Sequence, residues 1–261
     1  MTDIYDEIVN SFVNLLECKD DVRCIILDGS VNNREHVRGL SDIDLKLFIK
    51  GDFITQRVYD AIEKAIQDAL LRRDIIFNAW TLLETEYPRD DRNSVFDFVR
   101  KYCLLRGTVL YSNHFTVGSV DLMNIGENER TSCLRAIFNF QIRLRRLLTN
   151  PIAITDVNNP SSDFILQQSI AYLFHALRYF DAYYGMVCCK IKDVLDAYKV
   201  LSDHGTLFLE EMHSLRCDWD SRPKSLSLSR TILCQTTAFL DSLSVRMRAD
   251  FGDYIIPITY R

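Results

Sequence analysis

The stretch from Leu27 to Phe48, LDGSVNNREHVRGLSDIDLKLF, constrains this chain more than any other. It reads as a strand ending at Gly29-Ser30, a long polar loop, and a second strand opening with Asp42-Ile43-Asp44. Residues two apart on a strand point to one face, so Asp42 and Asp44 project together while Ile43 enters the core. Two carboxylates placed side by side repel each other and are costly to keep ionised without a cation. Hard divalent ions such as Mg²⁺ are held by one or two carboxylates together with substrate phosphates. A Gly-Ser turn offers N–H groups and a hydroxyl to phosphate oxygens, with no Cβ to block close approach.

Asp-x-Asp by itself is common where a strand begins at the surface, so its setting decides its meaning. Here an apolar strand lies on each side, and the loop carries Arg34, His36 and Arg38. The segments Leu27-Asp28-Gly29-Ser30 and Ser41-Asp42-Ile43-Asp44-Leu45 resemble the signature of the nucleotidyltransferase superfamily that includes DNA polymerase β. That signature is an apolar residue, Gly-Ser, a loop, then Asp-x-Asp. Further along, RKYCLLRGTVLYS resembles the helix, Gly and Val-Leu-Tyr ending of small nucleotidyltransferase domains, so the likeness covers roughly residues 1–125.

The periodicity fits that frame. Apolar residues at helical spacing predict a helix over 3–18, capped by Thr2 or Asp3, and another over 54–72. Strands are expected at 22–28, 42–50 and about 74–83, the last two joined by the helix as a crossover unit. A charged connector with Pro88, a helix over 94–105 and a short strand near 108–111 follow. A strong helix spans 127–149, and 151–162 (PIAITDVNNPSS) reads as a linker. Everything after it reads as helices, at 163–187, 190–203, 206–217 and 225–250. The expected fold class is α+β: a mixed-sheet nucleotidyltransferase domain over 1–125, then an all-α helical bundle over 126–261. The resemblance makes that bundle antibiotic-nucleotidyltransferase-like or HEPN-like. The Arg-to-His spacing of HEPN ribonucleases is missing, which argues against a nuclease.

The resemblance implies a metal-dependent transfer of a nucleoside monophosphate from an NTP to an acceptor hydroxyl, with release of pyrophosphate. Asp42 and Asp44 would hold Mg²⁺, as two ions, with Mn²⁺ as a substitute. Gly29 and Ser30 would bind the β,γ end of the triphosphate; Arg38, Ser41 and Lys46 are further nucleotide-binding candidates, with Asp28 and Arg34 nearby. A third carboxylate is expected between apolar residues on the adjacent strand, but Asp74-Ile-Ile-Phe-Asn78-Ala-Trp80 has the neutral Asn78 there. Asp74, on the same face of the expected strand, is preferred as its replacement, with Asp121 as the alternative. The departure also leaves open a weakened, nucleotide-binding or antitoxin-like regulatory module. The acceptor is a small molecule, a protein or an RNA end, and a homodimer through the helical domain is compatible with the sequence.

Bulk properties narrow the classes. A formal charge of −5 gives no global basic field for long nucleic acid. Eight scattered cysteines show no C-x-x-C pair; Cys18, Cys24, Cys103, Cys133 and Cys234 read as buried thiols, and packing is the favoured reading of vicinal Cys188-Cys189. The opening MTDIYDEIVNSF carries no signal-peptide apolar core and no run reaches membrane-spanning length, so a cytoplasmic setting is expected. The arginines of 127–149 read as a solvated helix face, and Tyr172, Tyr179, Tyr183, Tyr184 and His175 as packed helix residues.

Overall fold

The computed structural model describes residues 3–71, 73–86, 97–115, 125–149 and 162–251. The chain divides into two compact units. The first comprises Met1–Asp121 with Cys189–Ile191 and Arg216–Asp220; the second comprises Leu122–Cys188, Lys192–Leu215 and Ser221–Arg261.

The first unit is a four-stranded mixed sheet in the order β3-β2-β1-β4. Helix α1 (Ile4–Leu15) is capped by Asp3, whose carboxylate accepts the Tyr5 N–H at 3.0 Å, and it buries Tyr5, Ile8, Val9 and Phe12. Strand β1 (Val22–Asp28) runs antiparallel to β2 (Ile43–Ile49). Gly29 and Ser30 do not form a bare turn: they open the short helix α2 (Gly29–Asn32). Helix α3 (Gln56–Leu70) then carries the chain to β3 (Phe77–Leu83), which pairs parallel to β2, as the crossover pattern requires. Helix α4 (Phe98–Leu105) leads into β4 (Thr108–Ser112), antiparallel to β1.

Alternation along the strands separates two faces. Ile25, Leu27, Ile43, Leu45 and Leu47 enter a core shared with α1 and α3, where Phe12, Val58 and Ile62 are buried. On the opposite face Cys24, Ile26 and Phe48 cluster with Leu104 of α4, while Asp44 and Lys46 lie at the other end of β2.

One expectation fails here. Strand β3 begins at Phe77 rather than Asp74, because its pairing with β2 starts only at Ile43↔Phe77. Residues 73–76 precede the strand, and Asp74 is exposed there. It therefore does not share a strand face with Asn78. Asp121, most of the expected linker and the C-terminal tail lie outside the described residues.

The second unit is helical: α5 (Glu127–Thr149), α6 (Ser162–Tyr183), α7 (Ile191–Leu201), α8 (Thr206–Cys217) and α9 (Leu226–Phe251). The ends of α7 and α8 reach into the segments assigned to the first unit. Leu134, Ile137 and Leu144 of α5 are buried, as are Tyr179 and Tyr183 of α6. Tyr183 donates its hydroxyl to the Met247 carbonyl at 3.0 Å, so these two tyrosines are core residues. Arg145 pairs with Asp241 at 2.7 Å and Arg143 lies over Tyr172, so these arginines serve the bundle's own surface. No helix among the described residues is long and apolar enough to cross a membrane.

Within the first unit, the Cys189 thiol stands 3.5 Å from that of Cys103 on α4. That separation lets a bond of about 2.05 Å form with small side-chain rotations. Diamide, which takes up the two thiol hydrogens, is expected to join Cys103 to Cys189 in the folded protein. Non-reducing peptide mass spectrometry should find that link and not Cys188–Cys189; a dominant vicinal disulfide would contradict the pairing.

Candidate active site

The candidate site lies on the sheet face opposite α1 and α3. Ile43 is fully buried, so its neighbours Asp42 and Asp44 project to the other side. Across the sheet Asp44 stands opposite Asp28 on β1 and opposite Asn78 on β3. The Asn78 amide donates to Asp42 Oδ2 at 2.5 Å. Lys46 follows on the same face, only 7% exposed, with its Nζ 4.4 Å from the centre of the Trp80 ring. Trp80 is the register partner of Lys46 on β3.

The Gly-Ser bend touches the acid pair directly. Gly29 has φ +72°, and a Cβ there would stand 2.7 Å from Asp44 Oδ2. A side chain at 29 is thus excluded twice, by backbone strain and by the carboxylate. The Gly29 N–H already donates to Asp28 Oδ1 at 2.7 Å. Of the two residues expected to meet phosphate through N–H and hydroxyl, Ser30 is therefore the better placed.

Burial is the first cause that raises the carboxyl of Asp44, to about 6, with the negative charges of Asp42 and Asp28 adding and Lys46 and Asn78 opposing. Asp42 is also raised by burial, opposed by a backbone hydrogen bond, Lys46 and Asn78. Both shifts say that the pair lacks positive charge for its degree of burial. Hard oxygen donors in that condition fit a divalent cation such as Mg²⁺ or Mn²⁺. Among the described residues, no group of three or more Asp, Glu, His and Cys side chains is placed to hold a metal, so the pair is not a complete protein cage. Because a metal needs the ionised carboxylate, Mn²⁺ affinity is expected to fall about tenfold per pH unit below pH 6. Titration calorimetry across pH 5 to 8 checks this, and a flat profile would remove Asp44 from the ligand set.

The loop between α2 and β2 is tied down by its other residues. Arg34 sends one guanidinium nitrogen to both Asp6 oxygens at 2.7 Å, and His36 meets Asp3 at 2.6 Å. Ser41 Oγ accepts the Val37 N–H at 2.8 Å, which makes Ser41 a loop-closing residue. Glu35 accepts the Ile191 N–H at 2.9 Å, and its carbonyl accepts from Arg216. Gly39 packs near Trp219 and Asp220. Arg38 is exposed on this loop. The partners Asp6, Asp3, Arg216 and Trp219 were not foreseen from the sequence. Trp80 was also missed, although its spacing of two from Asn78 placed it on the same strand face.

No protein-family model and no curated protein sequence matches the chain. Among solved structures it is similar to the spectinomycin adenyltransferase AAD(9) from Enterococcus faecialis, determined with ATP and spectinomycin. The TM-score is 0.61 at 9% identity, over 92% of this chain and 99% of that one. What this likeness establishes is the fold alone, a mixed sheet with helices and a helical part, like that of the adenyltransferase.

Proposed function

We propose that the chain is a divalent-metal-dependent nucleotidyltransferase that moves a nucleoside monophosphate from an NTP to an acceptor hydroxyl and releases pyrophosphate. The observation that carries this reading is the Asp44 carboxylate seated against the Gly29 bend, with Asp42 on the same sheet face.

Asp42 and Asp44 would hold the metal, and Asn78 orients Asp42 through its amide. A bound divalent ion supplies neutralising charge to phosphate oxygens, the main demand in this chemistry. Ser30 offers its N–H and hydroxyl to the β,γ end, and Lys46 offers the ammonium at the end of a buried side chain to the same charge. Arg38 is an exposed cation on the loop to test for phosphate contact.

The solved neighbour directs the first assay: ATP as donor and spectinomycin as acceptor, followed by other NTPs and other small hydroxylated acceptors. Metal-dependent release of labelled pyrophosphate only when an acceptor is present supports the reading. A second reading, a weakened regulatory or antitoxin-like module, is favoured by Asn78 standing opposite Asp44 where a carboxylate was expected. Calorimetric binding of NTP and Mg²⁺ without pyrophosphate release would select it.

A further inference from the structure

We infer that this site works with a single divalent cation, with the Lys46 ammonium and the Asn78 amide standing where a second cation and its carboxylate would otherwise be. The inference rests on the nucleotidyltransferase reading and narrows it.

A two-ion site needs anionic oxygens that bridge or flank both metals. On β3 the position in register with Asp44 is Asn78, which brings no negative charge. Its amide also occupies Asp42 Oδ2 as a donor. An oxygen that accepts a short hydrogen bond has less electron density left for a second metal. On β2 the next residue of the same face is Lys46, 93% withdrawn from solvent, whose charge acts on both Asp42 and Asp44.

The surroundings of that ammonium point to a ligand. Its neighbour is the Trp80 ring at 4.4 Å, which attracts a cation but accepts none of its three N–H bonds in the ordinary way. Among the described residues it meets no hydrogen-bond acceptor. The stem is buried while the ammonium end has no protein acceptor, so phosphate oxygens on the adjacent metal can take its hydrogen bonds.

The test counts ions rather than turnover. The full chain is titrated with Mn²⁺ at equimolar α,β-methylene-ATP, both well above their dissociation constants, and free Mn²⁺ is read by electron paramagnetic resonance beside the same nucleotide without protein. One equivalent should bind tightly, and two equivalents overturn the inference while leaving the nucleotidyltransferase reading intact. A titration identical to that of the nucleotide without protein overturns that underlying reading, and this inference falls with it. Asn78→Asp should admit a second equivalent; a count that stays at one refutes the part given to Asn78. Lys46→Met should raise the affinity for Mn²⁺ alone about tenfold, by removing a like charge beside the acid pair. Unchanged or weaker Mn²⁺ binding in that variant refutes the part given to Lys46.

Discussion

Asp44→Asn is expected to lower pyrophosphate release on the order of 10³-fold, the scale seen when one preorganised electrostatic group is lost from an active site. The substitution keeps the shape of the side chain, so the Gly29 bend should stay as it is. It removes one of two carboxylates on the face, and with it most of the affinity for Mn²⁺. The same change should make the metal-free protein more stable, which separates lost chemistry from lost folding. The sign follows from linkage. Burial holds the Asp44 carboxyl at about 6 in the folded chain, above its value of about 3.9 when unfolded. Between those values the folded form binds more protons, so stability falls as pH rises through the window and stays low above it. A non-titrating Asn escapes that loss, a gain on the order of 2 kcal/mol at pH 7.5. Asp42→Asn should act in the same direction on turnover. A variant at position 44 that turned over normally, or that lost activity only because it unfolded, would remove the basis of the proposed function.

How far the residues alone revealed this site depends on which interactions are local. The acid pair was legible because a period of two is set by the pleat: buried Ile43 forces Asp42 and Asp44 outward together. The crossover from β2 to β3 was legible from the apolar stripe of α3. The start of β3 was not. Asp74-Ile75-Ile76 has strand-like composition, yet β2 begins at Ile43 and offers no ladder partner ahead of Phe77, so Ile76 is left 54% exposed. Register set the pairing of Asn78 with Asp44 and of Trp80 with Lys46, and no local pattern states a register before both strands are placed. The docking of Cys189 and Ile191 beside Cys103 and Glu35 joins residues far apart in the sequence, through contacts that carry no periodic signal. Gly29 was assigned a phosphate role through its N–H, and the structure gives that N–H to Asp28.

Asp181 was also invisible from sequence, since an Asp in FDAYYG suggests the solvent side of a helix. In the structure it is 0% exposed on α6, and neither carboxyl oxygen meets a hydrogen-bond partner among the described residues. Phe180, beside it in sequence, carries Arg246 over its ring at 5.6 Å, but that guanidinium donates to the Leu201 carbonyl at 2.6 Å. Burial raises the phenol of Tyr198 on α7, and the charge of Asp181 adds a smaller push in the same direction. Burial alone pushes the Asp181 carboxyl up to about 8. The folded chain therefore keeps a proton there that the unfolded chain releases near pH 4, and stability falls as pH rises from about 4 to about 8. Asp181→Asn keeps the shape and removes the titration. At pH 8 it should stabilise the protein on the order of 3 kcal/mol, after allowing for an amide that is itself poorly satisfied. At pH 4, where the native carboxyl is already neutral, the advantage should vanish and the variant should be the weaker of the two by the cost of its amide. Urea unfolding followed by circular dichroism at both pH values reads the difference directly. Equal midpoints at pH 8 would mean that a water or an undescribed residue satisfies Asp181, and that the bundle carries no buried proton.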